Sequence, residues 1–193
     1  FAHIPGLYIA YPSTAADAKG LLKAACRMQD PVLFLEHKGM YRLPFAAGPE
    51  PDENYLIPFG KAKTVKSGED LTIVTYGMGV KDSLNAVKKY EKANGKSIEI
   101  IDLRTIVPWD KEAVIASVKR PGRLLIVHED TMSMGFGAEI AATVANDAFE
   151  YLDAPIMRLA AKDSHIPYSP VYEEEVLPNE HKVFDMITQT LNY

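Results

Sequence analysis

The sequence predicts an α/β protein built mainly on an open, mostly parallel sheet with helices on both faces, preceded by an incomplete α/β domain. Three observations support this fold class. Short apolar runs alternate with helical patterns along most of the chain, which is typical of parallel α/β sheets. The composition, with 47% hydrophobic and 24% charged residues, is that of a compact globular protein. The first two apolar runs alone are too few strands to make a stable sheet.

The first part of the chain reads as one βαβ unit. Its predicted strands are Tyr8–Tyr11 and Val32–Leu35, and Thr14 and Asp17 have the spacing of a helix-capping box between them. The apolar residues of this helix repeat at helical spacing: Ala18, Leu21, Leu22 and Ala25. We expect the missing strands of this sheet to come from sequence outside the chain. Since the chain opens on Phe1 instead of Met, we expect a fragment.

Composition divides the chain into an incomplete domain at residues 1–40, an interdomain linker at 41–60 and a second domain at 61–193. Four prolines punctuate the linker, which has neither a helical nor an alternating period. The next proline after the linker is Pro108. We therefore expect the start of the second domain to be rich in helices and strands. Its predicted strands are Leu71–Thr75, Ile98–Leu103, Leu124–Val127 and Ile156–Leu159.

Helical patterns fill the intervals between these strands. Asp110 is positioned to cap a helix that carries Val114 and Val118 on its inner face. A later helix repeats an apolar residue every fourth position, and the last helix of the chain is also amphipathic. The alternation of strands and helices therefore predicts a layered sheet in the second domain.

Charge and cysteine content exclude several classes of protein. With 21 basic and 26 acidic residues the net charge is −5, which argues against nucleic-acid binding. The single cysteine, Cys26, cannot form an intramolecular disulfide or a cysteine-based zinc site. We expect Cys26 to pack in the first helix. The low cysteine content is typical of a protein from a reducing, cytoplasmic compartment. No apolar stretch reaches the ~20 residues that a membrane helix needs.

Two glycines offer an alternative function. Gly77 and Gly79 follow a predicted strand and precede a helix, as in the first half of a dinucleotide fingerprint, and Asp102 ends the next strand. The position of the third glycine holds Asp82, whose carboxylate would face a pyrophosphate. The alternative hypothesis is therefore a Rossmann-like dinucleotide-binding domain of an oxidoreductase. The other interpretation is that the two glycines only permit a strand-to-helix turn.

Other polar motifs leave two interpretations open. His128, Glu129 and Asp130 end a predicted strand, where they could move a proton or simply bond a neighbouring loop. Gly135 and Gly137 flank a helix start, where they could cradle an anion or permit close packing. The remaining histidines stand apart from any nucleophile: His3, His37, His165 and His181. We assign no catalytic and no cofactor-binding residue within the chain.

Six stretches in order resemble one known family. They are Pro12 to Leu22, Pro31 to Lys38, Ile101 to Asp110, Gly122 to Glu129, Gly135 to Glu139 and Leu152 to Pro155. Together they resemble the C-terminal part of the beta subunit of thiamine-diphosphate-dependent 2-oxo acid dehydrogenases. The Pro108-Trp109-Asp110 motif and the Leu-Asn-Tyr ending are more similar to branched-chain 2-oxoisovalerate dehydrogenases than to pyruvate dehydrogenases.

The resemblance implies that residues 1–40 finish a pyrimidine-binding domain and that residues 61–193 form a transketolase C-terminal domain. The implied activity is oxidative decarboxylation of a 2-oxo acid on thiamine diphosphate, followed by acyl transfer to a lipoyl carrier. In this family the cofactor-activating glutamate and the active-site histidine precede the matched region. The alpha subunit, or the alpha half of a fusion, holds the diphosphate and its magnesium. We therefore expect the chain alone to be inactive.

The resemblance also implies sites within the chain. The backbone carbonyls of Ala25, Met28 and Asp30 correspond to potassium ligands of the family. Asp153 and the terminal carboxylate of Tyr193 correspond to acceptors for the subunit-binding domain of a dihydrolipoyl acyltransferase. We further expect a dimer with a second beta subunit, favoured by the alanine-rich helix face around residues 141 and 145, and a location in the cytoplasm or, in a eukaryote, the mitochondrial matrix.

Overall fold

The computed structural model describes all residues from 1 to 193. It contains two sheets, which are linked by the chain and covered by six α-helices. In chain order the elements are β1 (Tyr8–Ala10), α1 (Ala15–Ala25), β2 (Val32–Phe34), β3 (Lys63–Lys66), β4 (Leu71–Thr75), α2 (Met78–Asn94), β5 (Ile98–Asp102), β6 (Thr105–Val107), α3 (Lys111–Val118), β7 (Leu124–Thr131), α4 (Phe136–Asp147), β8 (Met157–Ala161), α5 (Pro170–Val176) and α6 (Glu180–Leu191).

The larger sheet has the strand order β3-β5-β4-β7-β8. Its four strands β5, β4, β7 and β8 are parallel, and β3 pairs antiparallel with β5 at one edge. This architecture confirms the predicted mostly parallel α/β sheet. Strand β3 was not predicted, because its Lys-Thr-Val-Lys residues lie half-exposed at the edge and lack an apolar run.

Helices cover both faces of this sheet. Alternate strand residues point to opposite faces, so Val74 packs against α3 and α4 whereas Ile73 packs against α2 and α6. The helices contribute fully buried residues on the predicted stripes, among them Val114 of α3, Ile140 of α4 and Ile187 of α6. The two apolar layers are what hold the sheet between its helices.

The smaller sheet has the order β2-β1-β6. Strands β1 and β2 are parallel, as predicted, and β6 pairs antiparallel with β1 through Ile9 opposite Val107. The expectation that all further strands come from outside the chain was therefore wrong for one edge, since β6 follows β5 in the same chain. At three residues, β6 is too short for a sequence period to reveal it.

Helix α1 begins at the predicted cap and is covered by the segment 41–60. The Thr14 hydroxyl accepts the backbone N–H of Asp17 at 3.2 Å, and Leu21 is fully buried. Leu22 is 48% exposed, so the apolar stripe is narrower than predicted. Ile57 of this segment packs on Leu21 and donates its N–H to the Gly20 carbonyl at 3.2 Å.

Three other features differ from the sequence predictions. Cys26 is exposed just beyond α1, so the expectation that it packs in the helix was wrong. Strand β7 extends to Thr131, beyond the predicted end at Val127. Helix α5 was not predicted because none of its seven residues is buried, which leaves no apolar periodicity. No helix combines the length and apolar character that a membrane crossing requires.

Helix α4 packs closely on β7 at Gly137. The backbone N–H of Gly137 donates to the Nε2 atom of His128 at 3.2 Å, within a fully buried contact. A Cβ atom on Gly137 would lie 2.2 Å from that Nε2 atom. Glycine is therefore required here by close approach.

We expect Gly137→Ala to destabilise the protein by about 1–3 kcal/mol, because α4 must move away from His128. Urea denaturation monitored by circular dichroism measures this change. Gly48→Ala is the matched control, since a Cβ atom at Gly48 meets nothing within 4 Å. Equal stability of the two variants would contradict the packing role of Gly137.

Candidate functional site

A cluster of polar side chains lies where the two sheets meet, close to the ends of several strands. These residues come from both the first part of the chain and the second domain, and hydrogen bonds link them across the boundary. We call this cluster the joint, and define it by six residues: Tyr11, Asp17, His37, Asp102, Arg104 and Glu129. Carboxyl ends of parallel strands are where α/β proteins place their sites, so the joint is the candidate functional region.

Glu129 of β7 connects the second domain to both strands of the first βαβ unit. Its Oε1 atom lies 3.1 Å from Nε2 of His37, and its Oε2 atom accepts the hydroxyl of Tyr11 at 3.3 Å. The side chains of His37 and Glu129 are 25% and 24% exposed. The hydrogen bond to Glu129 raises the pKa of His37, although partial burial opposes it. Burial and Glu129 raise the pKa of Tyr11, which keeps its hydroxyl a donor.

Arg104 forms the second half of the joint. Its φ of 58° places a non-glycine residue in the left-handed region, and its carbonyl accepts the N–H of Tyr11 at 2.8 Å. The guanidinium donates to the Lys61 carbonyl at 2.8 Å and lies 3.4 Å from the buried carboxylate of Asp17. Arg104 thus bonds the first βαβ unit, the start of the second domain and the turn into β6.

Asp102 is the most enclosed acid of the joint, at 1% exposure. Its Oδ1 atom accepts the N–H of Arg104 at 3.0 Å. Burial raises the pKa of Asp102 to about 7; the nearby Asp17 carboxylate adds to the rise, whereas Ser13 and Arg104 oppose it. This carboxyl group therefore gains a proton near neutral pH.

His128, next to Glu129, is a packing residue. Its Nε2 atom accepts the Gly137 N–H, which assigns the ring proton to Nδ1, and burial lowers its pKa. The ring is parallel to that of Tyr76, with centroids 6.3 Å apart. The structure thus favours a polar strand end for His128–Asp130 and close packing for Gly135 and Gly137. No three His, Cys, Asp or Glu side chains are grouped as a metal site requires.

The geometry also favours the simple turn at Gly77 and Gly79. Gly77 has a φ of 58°, and the ring of Tyr11 covers it, at 2.9 Å from a Cβ atom built there. A Cβ atom on Gly79 would lie 2.2 Å from the Thr75 hydroxyl. Burial raises the pKa of Asp82, which follows the first turn of α2. The start of α2 is therefore filled by the protein's own side chains.

Comparison with known families decides the classification. Residues 60–183 match the family described as transketolase, C-terminal domain. The chain belongs to the transketolase C-terminal domain family. Residues 1–44 match a second family, the transketolase pyrimidine-binding domain. These matches confirm the resemblance inferred from the sequence motifs.

Relatives of this transketolase C-terminal chain include beta subunits of two dehydrogenase classes. It is 46% identical over 184 residues to the 2-oxoisovalerate dehydrogenase subunit beta of Bacillus subtilis (strain 168), covering 95% of the chain and 55% of the relative. It is also 46% identical over 187 residues to the pyruvate dehydrogenase E1 component subunit beta of Rhizobium meliloti (strain 1021), covering 97% and 40%. The chain spans about half the length of such relatives.

A solved structure gives the same fold. The transketolase C-terminal chain superposes on a split-gene transketolase, an inactive beta4 tetramer, with a TM-score of 0.79. The match covers 99% of this chain and 59% of the other, at 20% sequence identity. At this identity the likeness establishes the fold alone.

The residues implied by the family resemblance occupy two other places. Ala25 is the last residue of α1, and its carbonyl accepts the N–H of Met28 at 3.0 Å, shortly before Asp30. Asp153 and Tyr193 line one shallow groove of about 590 Å³ on the transketolase C-terminal domain. The same groove is lined by the alanines of α4 predicted to form a dimer contact: Ala141 and Ala145. Asp153 also lies 4.0 Å from the Arg123 guanidinium.

Sequence reasoning named four residues of the joint separately and did not predict that they form one group. Tyr11 and Arg104 were not considered, and His37 was grouped with His3, His165 and His181, which are exposed. The available signal was positional, since His37 and Glu129 each follow the start of an apolar strand by a few residues. Nothing in the sequence indicated that these two strands face each other.

We expect His37 and Glu129 to be energetically coupled by about 1 kcal/mol at pH 6. A double-mutant cycle with His37→Gln and Glu129→Gln, measured by urea denaturation, gives this value. Because the folded-state pKa of His37 is raised above its unfolded value of about 6.5, the coupling is full below pH 6.5. It is lost as the pH rises through the folded-state pKa. The control is the same double-mutant cycle on the Lys96–Asp70 ion pair, whose Nζ and Oδ1 atoms are 3.0 Å apart. We expect the coupling energy of this pair to be the same at pH 6 and pH 9.

Asp102 predicts a second pH dependence. Since its folded-state pKa is about 7 and its unfolded value about 3.9, the folded protein holds a proton that the unfolded chain has lost. The contribution of Asp102 to the free energy of unfolding is full below pH 4. Between pH 4 and pH 7 this contribution declines by up to about 1.4 kcal/mol per pH unit. Asp102→Asn, which keeps the Oδ1 acceptor, is expected to flatten this slope in urea denaturation at pH 5, 6, 7 and 8. Parallel slopes for both proteins would contradict the protonated state of Asp102.

Proposed function

We propose that this chain forms the C-terminal part of the beta component of a thiamine-diphosphate-dependent 2-oxo acid dehydrogenase. The longer protein would oxidatively decarboxylate a 2-oxo acid and acylate a lipoyl carrier. The supporting observation is 46% identity, over nearly the whole chain, to beta subunits of both 2-oxoisovalerate and pyruvate dehydrogenases. Because the chain spans about half of these relatives, the activity belongs to the longer protein, and we expect the chain alone to be inactive.

Within this class we propose a branched-chain substrate, as in 3-methyl-2-oxobutanoate dehydrogenases. The Pro108-Trp109-Asp110 motif and the Leu191–Tyr193 ending support this choice. Overall identity does not separate the two classes, since it is 46% for one member of each. The substrate preference therefore needs a direct measurement.

Thiamine diphosphate, when bound, supplies the carbanion chemistry of this reaction. The acids of the joint do not fit its magnesium diphosphate, because Glu129 is bonded to His37 and Tyr11, and Asp17 is paired with Arg104. We propose, as the family resemblance implies, that thiamine diphosphate and magnesium bind mainly in the alpha partner and in the upstream part of the beta component. A potassium ion on the carbonyls at residues 25, 28 and 30 stays a proposal.

We propose assembly roles for the chain itself. Residues 1–40 would complete the pyrimidine-binding domain, residues 41–60 would link, and residues 61–193 would contact a second beta subunit and the acyltransferase core. The groove that contains both Asp153 and Tyr193 supports a docking role, because the Asp153 carboxylate beside an apolar floor suits a basic partner. The protein would act in the cytoplasm, or in the mitochondrial matrix of a eukaryote.

The test is decarboxylation by the longer gene product that contains this sequence, mixed with its alpha partner and thiamine diphosphate. We expect turnover of 2-oxoisovalerate with a higher kcat/KM than that of pyruvate, and none when thiamine diphosphate is omitted. The 193-residue chain in place of the longer product is the control, and is expected to be inactive. Failure to decarboxylate either acid would overturn the proposed function.

A further inference from the structure

The connection between α2 and β5 contains the only asparagine of the chain that is followed by a glycine. Asn94 is the last residue of α2, and Gly95 caps this helix in a left-handed conformation with a φ of 66°. Both residues are exposed, and neither belongs to the joint or lines the groove of Asp153. The roles proposed above therefore make no use of this connection.

An asparagine followed by a glycine brings together the two groups that form a cyclic imide. The backbone nitrogen of the glycine can attack the side-chain carbonyl carbon, Cγ, of the asparagine, a residue type that is thermolabile in proteins. Glycine favours this attack because it has no Cβ atom to obstruct the approach and because its backbone is the least restricted. The surroundings of Gly95 are also open, since a Cβ atom built there meets nothing within 4 Å.

The folded structure engages both reacting nitrogen atoms in other bonds. The Gly95 N–H donates to the Glu91 carbonyl at 2.8 Å. The Asn94 Nδ2 atom, which is the leaving group of the reaction, donates to the Tyr90 carbonyl at 3.0 Å. These two bonds close the last turn of α2, so the attack requires that turn to open. Fraying ends of secondary structure open at a lower free energy than the core of a fold.

We propose that Asn94 is a site of spontaneous deamidation, which reacts when the last turn of α2 opens. The Gly95 nitrogen loses its proton to hydroxide and bonds to Cγ of Asn94, the Cγ–Nδ2 bond breaks, and ammonia leaves. Water then adds to either carbonyl of the cyclic imide and opens it to an aspartate or an isoaspartate. The reaction requires no oxidant and no reductant, and it does not depend on the proposed function.

The product places a new carboxylate where the structure disfavours negative charge. The acid cannot donate to the Tyr90 carbonyl, and it lies at the negative end of the helix dipole, one turn from the Glu91 carboxylate. Glu91 connects α2 to its neighbours, because its Oε1 atom accepts the Ile98 N–H at 2.8 Å and the Lys66 ammonium at 2.7 Å. We therefore expect deamidation to weaken the attachment of β5 to α2.

The first experiment follows the reaction in the longer gene product that contains this sequence. After incubation at pH 8, cleavage after glutamate residues releases residues 92–99, in which Asn94 is the only asparagine. We expect this peptide to gain about one mass unit, with isoaspartate among the products. The rate is expected to be about ten- to a hundredfold lower in the folded protein than in guanidinium chloride, because the last turn of α2 must open.

The internal control is Asn85 of the same helix, which precedes Ala86 and is the only asparagine of the released peptide 70–91. In guanidinium chloride we expect Asn85 to react about tenfold more slowly than Asn94, because Ala86 carries a Cβ atom. Equal rates at the two asparagines, no product at Asn94 in the folded protein, or the same Asn94 rate in both conditions would overturn the proposal.

The second experiment measures the consequence with Asn94→Asp, which reproduces one product of the reaction. We expect the amide hydrogen of Ile98 to exchange about tenfold faster in this variant than in the parent, because Glu91 holds it less firmly. Mass spectrometry of a peptide that includes Ile98 measures this exchange. Asn54→Asp, which adds the same charge at another exposed position, is the matched control and is expected to leave the exchange unchanged. Equal exchange in the parent and Asn94→Asp would contradict the weakened attachment of β5.

Discussion

The antiparallel pairing of β6 with β1 is the constraint on which the rest of the structure depends. It requires the chain to leave the larger sheet after β5 and to enter the smaller one within three residues. Arg104 makes this turn in a left-handed conformation, which costs about 1–3 kcal/mol for a non-glycine residue. Its carbonyl, amide and guanidinium bond to Tyr11, Asp102 and Asp17, so local strain is offset by contacts across the boundary.

Glu129 extends this connection to the other side of the joint. Its two oxygens bond separate strands of the first βαβ unit, through Tyr11 and His37, so movement of either strand would break a charged hydrogen bond. The neighbouring His128 faces inward and bonds Gly137, which aligns α4 with the same strand end. Because successive side chains of β7 point to opposite faces, Glu129 lies at the boundary between the sheets whereas the adjacent His128 lies in the core.

The sequence predicted the second domain well because its signals are local and strong. The apolar run Leu71–Thr75 is β4 without adjustment, and Asp110 caps α3 through the N–H of Ala113 at 3.2 Å. The candidate site was predicted poorly for the opposite reason. Glu129 and His37 are 92 residues apart, and neither has a neighbour in sequence that reveals the other. Family motifs supplied the classification, although they indicated none of the joint's contacts.

By itself, the sequence determined the α/β class, the order of most strands and helices, and the family. These follow from interactions within a few residues, such as the Thr14 cap, and from apolar periods that any sheet or helix must bury. Only the tertiary structure decided that β6 belongs to the smaller sheet, that Tyr11 fills the start of α2 and that Glu129 faces His37. Those contacts depend on how the two sheets pack against each other, and no local sequence pattern specifies that packing.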